Sequence, residues 1–462
     1  MSIVHDQAMH YIYQQVLERL LSHMSQAQRA SLQLLIQRLL VAAGGPEYIG
    51  TFRLLVMQGG DRRSARLLAI LRAAQLSIAL RAPVTFQLRV VVVCVPGVSS
   101  ALIEHHEQSF NALFMHDDVR VQLQTLEAGV ITPFSRPAAV AAEHWNLSRD
   151  AMLLFGHLVD ARPEAVLGSR VQLELAAALR LALEGQPWAD ALVTAMPLRQ
   201  RRRYLAWARR GLRLAGEAGS ATLHHCMATL ADRLGQLHAV AGSPLDEPGT
   251  LGCEPLAQVP LRVIALDDLL PQLLGDGELD QMMGCFEPSR ETLPLAALLD
   301  PLALAQLHEL RAQCSKQATP RQTLHLVCHK GVSMQHSPQQ VRFANAYGIN
   351  PIQLTCMLHS PFADQGKGLE RFLQCCHRDM LVALPYLHRA LQGKPCPEAV
   401  KDWLVSTSGL TLVQLRAIYA GRLHRSARRL LANLARRDVH LAWLAPAPET
   451  GALACKGHAD GA

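Results

Sequence analysis

Hydrophobic residues near the start of the chain recur at the spacing of an amphipathic helix. In QQVLERLLSHM and again in ASLQLLIQRLLVAA, apolar residues return every three or four positions, which brings them to one face of a helix. The second segment runs into Gly44–Gly45–Pro46, a sequence that stops a helix. We therefore predict helices over residues 6–42.

Between residues 51 and 135 the period changes, and short apolar runs alternate with helical patterns. The runs TFRLLVM, TFQLRVVVVCV and VRVQLQTL are strand-like, and Gly59–Gly60 and Pro96–Gly97 end the first two. The segments between them, DRRSARLLAILRAAQLSIALRA and SSALIEHHEQSFNALFM, are helical in pattern. This alternation predicts a parallel sheet covered by helices on both faces. The segments expected to pair in parallel are 52–57, 86–95 and 119–124.

The rest of the chain is dominated by helical patterns, with strand-like LRVIAL and TLHLVCHKGV in one mixed segment. The predicted fold class is helix-rich α/β, with a small parallel-sheet α/β unit near the N-terminus followed by mainly helical regions. The expected order is N-terminal helices over 1–50, an α/β unit over 51–136, a helical region over 137–245, a linker and mixed α/β region over 246–335, and a helical C-terminal region over 336–462.

The composition is that of a globular protein rather than a disordered one. Half of the 462 residues are hydrophobic and 18% are charged, and this length predicts two to four domains. We expect no membrane span, because no run of about 18 uncharged apolar residues occurs. The N-terminal MSIVHDQAMHYIYQQ lacks the pattern of a secretory signal. Eleven scattered cysteines indicate reduced thiols and a cytoplasmic location.

The positive charge is carried almost entirely by arginine. The formal net charge is +7, yet the chain contains six lysines, and the first of them is Lys316. A GC-rich bacterial genome accounts for this bias. An alternative is a protein that is translocated into a eukaryotic cell, where a lack of lysine limits attachment of ubiquitin.

The stretch FANAYGINPIQLTCML at 343–358 has the pattern of a helix-turn-helix. Gly348 is the expected turn residue, and Asn350 with Pro351 would begin the second helix. The residues expected to fill the space between the helices are Ile349, Leu354 and Met357. The residues expected to face outward, where they could read base edges, are Asn350, Gln353, Thr355 and Cys356. No arginine or lysine lies among them, so an architectural role is the alternative.

Two arginine-rich stretches favour nucleic acid or an acidic protein surface as a partner. LRQRRRYLAWARRGLR carries seven arginines between Arg199 and Arg213, and RLHRSARRLLANLARR lies near the C-terminus. The candidate phosphate contacts in the second stretch are Arg425, Arg428 and Arg429. The alternative is a pair of solvated helix faces in an arginine-rich protein.

The predicted sheet offers a second candidate site. Ligands of open parallel sheets bind beyond the carboxyl ends of the strands, often against the free N–H groups of the following helix. Two loops lie there, so the candidate ligand-binding residues are Gly59, Gly60, Asp61, Gly97, Ser99 and Ser100. Neither loop has the sequence of a dinucleotide fingerprint or a P-loop, so simple chain turns are the alternative.

Cysteine and histidine are dense between residues 314 and 396, but their spacing matches no zinc module. We therefore predict no metal site.

In EHHE at 104–107 the two histidines are adjacent rather than one helical turn apart, and we interpret them as exposed polar residues. The sequence identifies no cofactor.

Three classes of function are consistent with these patterns. The first is a cytoplasmic bacterial regulatory or adaptor protein that binds macromolecules, with DNA binding through the helix-turn-helix as its sharper form. The second is an enzyme whose ligand site lies at the strand–helix loops of the α/β unit. The third is a translocated effector or secretion-system accessory protein. Neither catalysis nor the oligomeric state follows from the sequence.

Overall fold

The structure is a computed structural model. It describes residues 3–58, 62–82, 84–94, 100–127, 130–135, 176–183, 189–194, 261–266 and 348–422, together with individual positions within 149–157, 198–208, 268–269 and 279–283. None of the described helices is both long and apolar enough to cross a bilayer.

The first part of the chain alternates helices and strands as the sequence predicts. Its elements are α1 (Ile3–Ser22), α2 (Gln26–Ala43), β1 (Arg53–Gln58), α3 (Arg62–Ala79), β2 (Gln87–Cys94), α4 (Ser100–Ala112), β3 (Val121–Glu127) and β4 (Val130–Pro133). Two later strands are β5 (Ala191–Thr194) and β6 (Arg262–Ala265). The C-terminal helices are α5 (Pro351–His359), α6 (Ala363–Gly366), α7 (Leu369–Cys376), α8 (Leu384–Leu391), α9 (Glu398–Ser408) and α10 (Leu412–Tyr419).

Within the described residues the strands form one six-stranded sheet in the order β4-β3-β2-β1-β5-β6. All neighbouring pairs are parallel except β3 and β4, which are antiparallel. The predicted parallel pairing of the first three strands is confirmed. The helix-rich α/β class is confirmed as well.

Two strands from much later in the chain extend this sheet beyond residues 51–136, the segment for which the sequence predicted it. β6 lies in LRVIAL, which was predicted as a strand, and it reaches the N-terminal sheet by pairing with β5. The prediction that 137–245 is helical is wrong at β5, which pairs with β1. β5 is four residues long and its partner is distant in sequence, so local periodicity does not reveal it. The domain boundaries themselves stay a prediction.

The strands send alternate side chains into two hydrophobic cores, one on each face of the sheet. Leu54 and Val56 pack into a core with α1, α2, α3 and α4. Leu55 packs into the other core with the C-terminal helices, and Met57 lies against it. Every residue of β2 after Gln87 is buried, as expected for a central strand of a sheet that is covered on both faces.

The ends of the N-terminal helices are fixed by short polar contacts. Ser25 accepts a hydrogen bond from the backbone N–H of Gln28, whose side chain accepts one from Ser25 in return. This capping box begins α2. Gly44 ends the same helix in the left-handed conformation with φ of 98°. The predicted stop at Gly44–Gly45–Pro46 is therefore confirmed.

A buried charge network joins α1, α3 and the segment before β3. Arg72 donates to Asp118 Oδ2 at 2.7 Å and to two backbone carbonyl oxygens at the end of α4. Arg120 donates to both carboxylate oxygens of Asp118 at 2.7 Å and lies over the ring of Tyr13. Burial alone would raise the pKa of Asp118, but the hydrogen bonds and charges of Arg120 and Arg72 outweigh it and lower the pKa to about 2.

The C-terminal helices have equally well-defined ends. Asn350 begins α5 and Thr411 begins α10, each with a capping box to the residue three positions later. Gly409 ends α9 in the left-handed conformation. α6 is a single turn in which Asp364 and Gln365 have positive φ, so it is not an ordinary helix.

Candidate ligand site at the carboxyl edge of the sheet

The strand order changes direction between β1 and β5. From β1 the chain moves outward to β2 and β3, whereas the later strands β5 and β6 lie on the other side of β1. In open parallel sheets, ligands bind in the crevice outside the carboxyl ends of the strands at such a reversal point. The described residues at the carboxyl ends of the parallel strands are Gln58, Cys94, Glu127, Thr194 and Ala265.

Gln58, the last residue of β1, carries a buried acceptor at this edge. Its side chain is 1% exposed, and Nε2 donates to the backbone oxygen of Ser64 at 3.1 Å. This bond ties the end of β1 to the first turn of α3. The other side-chain atom, Oε1, is buried without a hydrogen-bond partner among the described residues. An unpaired buried acceptor costs about 1–3 kcal/mol, so a ligand that donates to it would recover that cost.

The two helices that follow the central strands begin at the same edge. α3 follows β1 and α4 follows β2, so the first turns of both helices lie at the carboxyl end of the sheet. Aspartate and glutamate are favoured at such positions, because their negative charge stabilises the positive end of the helix dipole. Neither first turn contains an acidic residue. Asp61, however, directly precedes Arg62, the first residue of α3.

The sequence-predicted ligand residues fall mostly outside the described part of the chain. The structure describes one of them, Ser100, which is the first residue of α4. Gly59, Gly60, Asp61, Gly97 and Ser99 lie outside the described residues. Their position between described strands and helices nevertheless follows from the chain order. Their binding role stays a prediction.

Cys94 and Glu127 lie side by side in the parallel register at the ends of β2 and β3. Burial, together with the negative charge of Glu127, raises the pKa of the Cys94 thiol to about 12. A thiol in this state is protonated at neutral pH, and only the thiolate is a good nucleophile. Cys94 is therefore not suited to nucleophilic catalysis.

The interpretation of EHHE as exposed residues is wrong for His106. This residue of α4 is 4% exposed and its ring stacks on Phe110, with centroids 6.0 Å apart. Burial, and to a lesser extent the neighbouring His105, lowers the pKa of His106 to about 3. The error arises because α4 packs into the core through Ile103 and Phe110. Two adjacent histidines on such a helix point in different directions, so they do not both face solvent.

The start of the predicted second helix of the helix-turn-helix is confirmed. Gly348 has φ of 66°, and Asn350 caps α5 with Pro351 in its first turn. The predicted first helix lies outside the described residues. The residues expected between the helices are indeed buried, and they are Ile349, Leu354 and Met357.

The outward face of that helix is predicted incorrectly. Thr355 is 2% exposed and Cys356 is fully buried, because α5 packs against α9 on one side and against the Leu153–Leu154 region on another. Gln353 is half-buried, and its Oε1 accepts the backbone N–H of Asn350. Thr355 is therefore not presented to a DNA groove. DNA contact by Asn350 and Gln353 stays a prediction.

The arginine-rich stretches remain untested as nucleic-acid contacts. In the first stretch, Arg201 is half-buried and Arg202 is exposed, while Leu205 and Ala208 are buried. This pattern is typical of a helix with one solvated face. Arg425, Arg428 and Arg429 lie outside the described residues.

Cysteine and histidine meet only in pairs in the described part of the chain. Cys356 Sγ lies 3.6 Å from His157 Nε2, and Cys376 Sγ lies 3.8 Å from His359 Nε2. No group of three residues that could hold a metal ion occurs among the described residues. Zinc sites in proteins require three or four such ligands. The expectation of no metal site stays a prediction.

Comparison with known proteins adds no relative: no family model, curated protein or solved structure matches this chain. The site is therefore defined by its own geometry.

Sequence reasoning missed Gln58 and Thr194. Gln58 had a usable signal, because it is the one polar residue between the apolar run of β1 and Gly59–Gly60. Thr194 had none, because β5 itself was not predicted.

Proposed function

We propose that this protein binds a phosphate-bearing small molecule of the nucleotide class in the crevice between the carboxyl ends of β1 and β5. The observation that carries the proposal is the reversal of strand order at β1. In open parallel sheets this topology creates a crevice whatever the sequence of the loops.

The described chemistry at this edge supports an anionic ligand with a hydrogen-bond donor. The first turns of α3 and α4 lie at this edge and contain no acidic residue, so the positive ends of the two helix dipoles favour a phosphate. Gln58 Oε1 can accept a hydrogen bond from a hydroxyl or amino group of the same ligand. The loop Gly59–Gly60–Asp61 joins these two features along the chain.

A ligand in this crevice is compatible with two of the predicted functions. It would be a substrate in an enzyme, and a signal in a regulatory or adaptor protein that also binds nucleic acid or an acidic protein. The described cysteines are free thiols, which supports a cytoplasmic location. Turnover of the bound molecule separates the two functions, because a regulator would release its ligand unchanged.

The binding test compares ATP, NAD and adenosine by isothermal titration calorimetry with the full chain. We expect ATP or NAD to bind and adenosine to bind at least about tenfold more weakly, since it lacks the charged hydrogen bonds of a phosphate. Gln58→Leu should weaken binding of the phosphate-bearing probe about fivefold, because one neutral hydrogen bond is worth about 1 kcal/mol.

The matched control is Gln26→Leu, which makes the same change at an exposed position of α2. It should leave the affinity unchanged. Absence of binding by both phosphate-bearing probes would refute the nucleotide-class proposal. Equal losses in Gln58→Leu and Gln26→Leu would place the ligand elsewhere.

A further inference from the structure

A separate cavity of about 290 Å³ lies at the opposite, amino edge of the sheet. It is formed where β1, β2 and β3 begin and where the chain enters β5. Three of its lining residues are arginines, and no aspartate or glutamate is among the residues that line it. The polar lining residues are Arg53, Gln87, Arg89, Arg120 and Gln122.

Four of these side chains lie at the amino end of a sheet face that becomes mainly apolar further along the strands. Arg53 lies two positions before Leu55 on β1, and Arg89 lies two positions before Val91 on β2, so each shares a face with the apolar residue that follows. Gln122 of β3 is opposite Arg89 in the register, and Gln87 is opposite Arg53. Strands covered on both faces are normally apolar throughout. Polar residues on three adjacent strands therefore need a reason.

Arg89 is fixed in place by hydrogen bonds to its neighbours. It is 6% exposed and donates to Gln124 Oε1 at 2.7 Å and to the backbone oxygen of Ala182 at 2.6 Å. Burial lowers the pKa of Arg89, yet an arginine guanidinium stays charged in proteins. A positive charge is thus held rigidly beside the cavity.

Arg53 contributes a donor that the described residues leave unused. Its Nε is buried and has no hydrogen-bond partner among them. The neighbouring carboxylate of Asp190 accepts the backbone N–H of Arg53 at 2.8 Å, and no bond to the guanidinium accompanies it. The third arginine, Arg120, is engaged with Asp118. The cavity therefore combines a fixed charge with an unsatisfied guanidinium N–H.

We propose that this cavity is an anion site that binds a small phosphate-type oxyanion. Guanidinium groups match the tetrahedral oxyanions of phosphate and donate several hydrogen bonds at once. The cavity is at the small end of ligand pockets, so it fits inorganic phosphate or a small phosphorylated metabolite. This site is independent of the proposed nucleotide crevice, because the two lie at opposite edges of the sheet.

Isothermal titration of the full chain with sodium phosphate, at constant ionic strength maintained with sodium chloride, tests the proposal. Wild type should bind one phosphate saturably. Arg53→Gln should weaken this binding about tenfold or more, as expected for a charged hydrogen bond. Arg19→Gln removes the same charge from an exposed position of α1 and should change the affinity less than about twofold. Arg53→Gln should leave the binding of ATP or NAD unchanged, which separates this site from the nucleotide crevice.

A second pair of variants covers the case in which Arg53→Gln does not fold. Gln122→Glu places a carboxylate on the exposed part of the lining, and Gln26→Glu places the same charge on α2. Only Gln122→Glu should weaken phosphate binding, because like charges repel at short range. Absence of saturable binding in wild type would overturn the proposal. Equal effects of the lining and control variants would do so too, since they would indicate general electrostatic attraction.

Discussion

At the scale of single residues, the most consequential feature is the buried ion pair between Arg72 and Asp118. Both side chains are fully buried, whereas the ion pair between Arg38 and Asp268 is well exposed. Removing one partner of a buried pair leaves an uncompensated charge, which costs far more than losing a solvated pair. The exposed pair has the more complete contact, because Arg38 donates to both carboxylate oxygens of Asp268, whereas Arg72 donates to one oxygen of Asp118. A larger loss at Asp118 would therefore reflect burial rather than the number of hydrogen bonds from one arginine.

Asp118→Asn should therefore lower the free energy of unfolding by about 3–5 kcal/mol. Asparagine preserves the shape of the side chain but leaves the guanidinium of Arg72 without its counterion. Asp268→Asn, the control, should cost less than about 1 kcal/mol. Urea unfolding followed by circular dichroism measures both values. Similar losses in the two variants would show that burial does not set the strength of the Arg72–Asp118 pair.

At the scale of elements, the sequence predicted the strands and helices whose signals lie in neighbouring residues. β1 and β2 are apolar runs that end close to glycine or proline, β3 alternates apolar and polar residues, and α2 and α5 have recognisable caps. β5 could not be predicted, because a short strand is defined by pairing with distant β1. The outward face of α5 was wrong for a similar reason. Leu354, Thr355, Cys356 and Met357 are all buried, so the helix has neighbours on more than one side.

The candidate site was predicted in location more than in detail. The carboxyl edge of the sheet followed from the strand–helix alternation and the loops at Gly59 and Gly97. Its centre between β1 and β5 did not, because that depends on where β5 inserts. The arginine cavity was not predicted either. Arg53 and Arg89 are 36 positions apart along the chain, and only the register brings them together.

The turn before α5 gives a prediction at the scale of one element. Gly348 has φ of 66°, and among the described residues a Cβ at this position would meet only the side chain of Arg149, at 3.9 Å. Backbone conformation rather than space therefore limits substitution. Gly348→Val should destabilise the protein by about 1 kcal/mol or more, because a β-branched residue resists positive φ. Gly348→Asn should cost less, since asparagine tolerates this conformation. Thermal unfolding of the two variants measures the difference, and equal losses would contradict the argument.

At the scale of the whole molecule, three histidines with lowered pKa values make stability depend on pH. Burial lowers the pKa of His106 to about 3, with a contribution from His105, and it lowers those of His157 and His359 to about 4, the latter helped by Arg371. These residues belong to different parts of the fold. His106 lies on α4, His157 stacks on Phe362, and His359 ends α5.

The stability of the protein should consequently fall as the pH drops below about 6.5, the usual pKa of histidine in an unfolded chain. Below that pH the unfolded chain takes up protons that the folded chain excludes until about pH 4, so unfolding becomes more favourable. Three such groups give a slope of up to about 4 kcal/mol per pH unit. Asp118 does not contribute to the fall in stability between about pH 6.5 and pH 4. The stabilisation that its carboxylate provides is lost only as the pH falls from about 4 towards 2.

Urea unfolding between pH 4.5 and 8 measures this slope directly. His106→Phe should reduce it by about one proton, or about 1.4 kcal/mol per pH unit, because phenylalanine keeps the stacking on Phe110 but does not titrate. His10→Phe alters an exposed histidine of α1 and should leave the slope near its wild-type value. A slope that stays the same in His106→Phe would mean that His106 is protonated to the same extent in the folded and unfolded chains. Its buried position against Phe110 would then not keep it neutral below pH 6.5.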